Sequence, residues 1–123
     1  MSYQRFFGLG WAALALVTSA CGSVPLNKAK LNAAQTAMHE AETLGAASDP
    51  QAKQHLQQAH DQVARAQRLA KDGDGEEANL YLDRAKADAD LAAQQATTYA
   101  EAEKARQAWA KSKTTAAGGL APQ

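Results

Sequence analysis

Apolar residues recur through most of this chain at alternating steps of three and four, and at most of those positions the residue is alanine. From Ala52 the series runs through Leu56, Ala59, Val63, Ala66 and Ala70; from Ala78 it runs through Leu82, Ala85, Ala89, Ala92, Ala96 and Tyr99. A strand buries alternate residues, whereas steps of three and four bring every member of a series to one side of a helix. The pattern therefore predicts an all-α protein whose helices meet along narrow, alanine-rich seams. It leaves no run that reads as a strand.

Glycine and proline divide the helical part into three. The spacing predicts a first helix from Lys28 to Leu44, with Leu31, Ala34, Met38 and Ala41 on one face and Gly45 just past its end, where a left-handed residue commonly sits. Ser48-Asp49-Pro50 restarts the chain, with Asp49 as N-cap and Pro50 at the first helical position, where its missing N–H costs nothing. The second helix is predicted over Pro50 to Asp72, closed by Gly73. Asp74-x-x-Glu77 reads as a capping box opening a third helix from Gly75 to Lys113. Before these helices, residues 21–27 form a short tether containing Pro25; after them, residues 114–123 read as a flexible tail. Short connections favour antiparallel neighbours, so residues 28–113 are expected to form a helical hairpin or an up-down-up three-helix bundle with a long third helix.

The helix lengths do not match. About 23 and about 39 residues correspond to about 34 and 58 Å at roughly 1.5 Å per residue. The stretch from Tyr99 to Lys113 is therefore expected to project past its neighbours unless a bend near Thr97-Thr98 folds it back. It holds Tyr99 and Trp109, two of the three aromatics that follow residue 20, and both are candidate partner-binding residues. The expected core is about a dozen large side chains: Leu31, Met38, Leu44, Leu56, Val63, Leu69, Leu80, Tyr81, Leu82, Leu91, Tyr99 and Trp109. So thin a core predicts marginal stability for an isolated monomer.

Charge and composition narrow the function classes. Thirteen Lys and Arg balance thirteen Asp and Glu, which gives no broad attraction for nucleic acid. Pairs such as Asp61 with Arg65, Arg68 with Asp72, Arg84 with Asp88, Lys86 with Asp90 and Glu101 with Lys104 stand three or four apart and read as solvated helix faces. His39, His55 and His60 lack the spacing by which two ligands on a helix share a metal, and no serine has a histidine placed to activate it. Neither a metal site nor catalytic residues, and no small-molecule substrate, are expected. The single cysteine, Cys21, cannot form an internal disulfide.

The N-terminus has a different character. Phe6 to Val17 is a nearly unbroken apolar run after Arg5, too short to span a bilayer but of the length found in a secretory signal. The small residues Thr18, Ser19 and Ala20 follow it, and then Cys21. Val17-Thr18-Ser19-Ala20-Cys21 resembles the lipobox of bacterial lipoproteins, with Thr18 where that family usually has Leu. The resemblance implies a signal peptide over residues 1–20, cleavage before Cys21, and a diacylglyceryl group on its thiol with N-acylation of its amine. No other cofactor is expected. Gly22 is not the aspartate that retains such proteins in the inner membrane, so the resemblance implies the periplasmic face of the outer membrane. Ordinary secretion through Thr18-x-Ala20, leaving a periplasmic or secreted protein with a free thiol, is the alternative.

Two further resemblances concern the helices. Gly73-Asp74-Gly75-Glu76-Glu77-Ala78, followed by Leu82 and Ala85, is similar to the linker and second helix of a tetratricopeptide repeat, but occurs once. The order of lipobox, Ala-rich helix, Pro-opened helix, Gly-Asp turn and long Ala-rich helix resembles the short bacterial envelope lipoproteins called domain of unknown function 4398. That likeness implies a helical envelope protein of unassigned function. The expectations are thus a non-enzymatic adapter or scaffold for another envelope protein, a self-associating coiled-coil spacer, or a peptide-binding module.

Overall fold

Three helices account for most of residues 24–118, which are the residues described by the computed structural model of this chain. Helix α1 spans Lys28–Thr43, α2 spans Pro50–Asp72 and α3 spans Gly75–Gly118, with a single 3-10 turn at Ala46–Ser48 between α1 and α2. The proposed signal and lipidation residues Thr18, Ser19, Ala20 and Cys21 lie outside the described residues, as do residues 119–123.

Each boundary has a local cause. The Asn27 side chain caps α1, its Oδ1 accepting from the N–H groups of Ala29 and Lys30 at 2.9 and 3.2 Å. Gly45 and Gly73 end the first two helices with φ of 87° and 94°, conformations that cost glycine little and other residues much. Asp49 caps α2 through bonds from Gln51 and Ala52, and Pro50 takes the first helical position. Asp74 opens α3 through its carbonyl, which accepts from Ala78 N–H at 2.9 Å. The predicted second helix matches the observed one residue for residue; the 3-10 turn was not anticipated.

The third helix outruns its predicted end. Thr114 and Thr115 donate their hydroxyls to the carbonyls of Ala110 and Lys111, both at 3.0 Å, and the helix continues to Gly118. The first five residues of the expected tail are thus helical. The same i−4 bonding occurs at Thr97 and Thr98, whose hydroxyls bond the carbonyls of Ala93 and Gln94 at 3.0 Å. These hydroxyls are satisfied without interrupting the helix, and there is no fold-back near Thr97-Thr98.

The arrangement is up-down-up. Near the starts of both α1 and α3, Asn27 N–H donates to Asn79 Oδ1 at 2.8 Å and Lys30 Nζ pairs with Asp83 at 2.6 Å. These contacts set α1 alongside α3 in the same direction. Helix α2 returns antiparallel to α3 after the Gly73-Asp74 turn, and these two form the most extensive pair.

The core that the three helices share is mostly alanine. Twelve of the sixteen buried hydrophobic residues among those described are Ala; the others are Met38, Leu56, Val63 and Leu82. On α2 the buried residues Ala52, Ala59 and Ala66 repeat at sevens, flanked by Leu56 and Val63; on α3, Ala78, Ala85 and Ala92 interleave with Leu82, Ala89 and Ala96. A strict heptad of small residues lets helix axes approach at the close end of the usual 8–10 Å range and favours a gentle left-handed wrap. This corrects the expected core. Leu44, Leu80, Leu91 and Trp109 are exposed, while Leu31, Leu69 and Tyr81 pack only at its edge. Leu80, Leu91 and Trp109 stand on the side of α3 away from this seam, which is why they are not part of it.

The tether is part of the fold. Asn79 accepts from Asn27 N–H and donates its amide to the Pro25 carbonyl at 3.2 Å. Val24 lies so close to Gly75 that a methyl group there would overlap the Val24 carbonyl. Leu26 packs against the core beneath them.

Candidate partner-binding arm

The heptad series that builds the seam changes character after Ala96. The next positions in register are Tyr99, Glu103, Arg106 and Ala110, and Glu103 and Arg106 form an ion pair with each other. A seam that has turned polar has nothing to bury, so α3 continues as a free arm. Apart from the partly covered Glu103, every residue from Glu101 to Ala116 is exposed.

Trp109 dominates this arm. It is 62% exposed, its ring faced on one side by Lys113 Nζ at 4.1 Å from the centroid, a cation–π contact one turn along the same helix. Ser112 donates to the Trp109 carbonyl at 2.8 Å. Exposed Leu80 and Leu91 share its line along α3. At about 100° per residue, eleven residues from Leu80 to Leu91 and eighteen from Leu91 to Trp109 come close to three and five whole turns. Ala87, Thr98 and Ala105 fall along the same line. The result is an apolar strip on the side of α3 that the seam leaves uncovered.

Tyr99, expected to act with Trp109, is placed apart from it. Ten residues of helix separate them by about 15 Å and turn them away from each other. Tyr99 is half-buried and lines an open cleft of about 320 Å³ between the start of α2 and α3, with Asp49, Gln51, Gln94, Gln95 and Thr98. The Asp49 carboxylate is occupied in capping α2 and the Thr98 hydroxyl in bonding Gln94. Gln95 Oε1 is buried there without a partner.

The charged residues are used differently from the pairs read in the sequence. Of the five expected pairs, Lys86 with Asp90 forms, at 2.6 Å. Arg65 and Arg84 instead cover the Tyr81 ring at 4.7 and 5.3 Å. Asp88 turns toward α2, accepting from Gln62 at 2.6 Å with His55 Nδ1 at 3.3 Å. His60 lies 3.4 Å from Glu42 across the α1–α2 interface, and His39 lies 3.9 Å from the same carboxylate. All three histidines therefore have carboxylate neighbours, and His55 is mostly covered. Among the described residues no group of three or more His, Cys, Asp and Glu is placed to hold a metal, and no helix is long and apolar enough to cross a membrane.

Sequence reasoning missed Asn79 and Gly75, which hold the tether. No family of known proteins, no curated protein and no solved structure matches this chain.

Proposed function

We propose that this protein is a non-enzymatic envelope lipoprotein, held by a diacylglyceryl and N-acyl lipid on Cys21 at the periplasmic face of the outer membrane. In this reading its helical domain is an adapter or scaffold for another envelope protein. The observation that carries the adapter role is the free arm of α3. It is helical to Gly118, contributes nothing to the seam, and presents a tryptophan, the residue type most enriched among binding hot spots. The Thr18-Ser19-Ala20-Cys21 sequence supports the anchor, and two or three acyl chains make such an anchor lasting.

A photo-crosslinking amino acid at position 109, introduced in cells, is expected to capture one recurrent envelope protein. Recovery of the uncrosslinked chain alone would remove the adapter reading. Cys21→Ser is expected to shift the protein from the membrane to the soluble fraction; continued sedimentation with membranes would remove the anchor.

The strip of Leu80, Leu91 and Trp109 favours one second reading, a spacer in which α3 pairs with α3 of another copy. Under that reading, crosslinks from position 109 return this chain itself.

A further inference from the structure

We propose that the tether and Asn79 form a clamp that fixes which end of the bundle carries the lipid. The hairpin turn at Gly73 then lies at the membrane, and Trp109 stands about 50 Å away along α3. The proposal rests on the lipid-anchor reading of Cys21 and adds to it a direction.

The clamp has three parts. Asn79 bonds the tether at two backbone groups, Asn27 N–H and the Pro25 carbonyl. Gly75 admits the Val24 carbonyl against the first turn of α3, where any side chain would displace it. Leu26 packs against the core and adds apolar contact to the polar bonds. A flexible linker would let the bundle take any orientation; this one is fixed up to Val24. Cys21 stands three residues earlier, and an extended chain covers at most about 3.3–3.6 Å per residue, so its thiol cannot stray much more than ~11 Å from Val24. Trp109 lies 34 residue steps along unbroken helix from Gly75, about 51 Å at the usual rise.

The strip of Leu80, Leu91 and Trp109 does not lay α3 flat on the bilayer. Helices that lie on membranes carry a polar face rich in Lys and Arg. Here acidic and basic residues balance over the whole chain, and Asp72, Asp74, Glu76 and Glu77 crowd the turn that the clamp brings to the lipid. Those charges keep the turn from sinking among anionic headgroups, and without a cationic face α3 stands up from the membrane instead of lying along it.

Energy transfer tests the clamp and the anchor separately. The full chain carrying Trp11→Phe, made by cell-free translation without membranes, keeps a free thiol on Cys21 and Trp109 as its sole indole. A dye on that thiol that accepts tryptophan emission is expected to receive little from Trp109. It should receive several-fold more from Asp72→Trp in a Trp109→Phe background. Equal transfer from the two positions, in chains of unchanged helicity, overturns the clamp. Asn79→Ala, which removes both side-chain bonds, is expected to shrink the difference. The same donors are then compared in lipidated protein taken from cells into neutral vesicles containing a dansyl lipid. Sensitised emission from position 72 alone supports the standing arrangement, and equal emission from position 109 overturns it. A chain that passes the first comparison but does not float with vesicles refutes the anchor, leaving the clamp in place.

Discussion

Among the described residues Leu82 is the one large side chain with no exposure at all, set in a seam made mostly of alanine with Leu56 and Val63. Leu82→Ala is therefore expected to cost ~2–5 kcal/mol, the usual range for deleting a buried leucine, read as a lowered midpoint in urea. The reverse change is equally informative. Ala85→Leu places three extra carbons where the helices approach closely, and should destabilise by ~1–3 kcal/mol or more through overpacking. A rise in stability there would mean that the seam has space and that its alanines are not a packing requirement. Trp109→Ala, on the arm, is expected to leave the midpoint within about 0.5 kcal/mol, as for most surface changes. At this scale the sequence was partly legible. Alanines at three-and-four spacing identified the seam, because periodicity reports which side of a helix is buried. The same count overstated the large residues in the core, because one line of α3 is uncovered and periodicity does not say how many partners a helix has. Arg84 was misread for a different reason: an arginine one turn from both an aspartate and a tyrosine can bond either, and here Tyr81, already flanked by Arg65, holds it.

Among the elements, α3 is two things joined without a break. Up to Ala100 it is packed; from Glu101 to Ala116 it is exposed except at the partly covered Glu103, which pairs with Arg106. Stability is not uniform along such a helix, since local opening follows the number of buried contacts. Amides between Lys104 and Thr115 are expected to exchange hydrogen far faster than those between Ala78 and Ala96. Matching protection over the two stretches would show that the arm is covered in solution, by a second copy or by the chain itself. Ala105→Gly, which weakens an exposed helix interior by about 1 kcal/mol, should lower total helicity while leaving the cooperative unfolding of the seam in place. The helix boundaries were readable in advance because Gly45, Gly73, Asp49 and Pro50 each punctuate the chain by a local rule. The end of α3 was not, because Thr114 and Thr115, weak helix formers by propensity, satisfy their hydroxyls on the preceding turn. That arrangement cannot be told from a frayed terminus by composition.

For the molecule as a whole, the direction of each helix was legible from the short connections, while the burial of the tether was not. That part of the fold depends on Asn79 meeting a segment more than fifty residues earlier, a contact that no local pattern announces. The adapter reading predicts that the domain sediments as a monomer at micromolar concentration; a concentration-dependent dimer abolished by Leu91→Lys would favour the spacer. The continuity of α3 through Thr97 and Thr98 has a mechanical consequence. A helix with a joint at that point would let whatever holds Trp109 move independently of the bundle. A rod without one acts as a lever about 20 Å long from Ala96 to Trp109, so a sideways pull at its tip arrives at the alanine seam as torque. Methyl-to-methyl contacts are short and numerous, and they resist such prying until the axes part, whereupon they fail together rather than one by one.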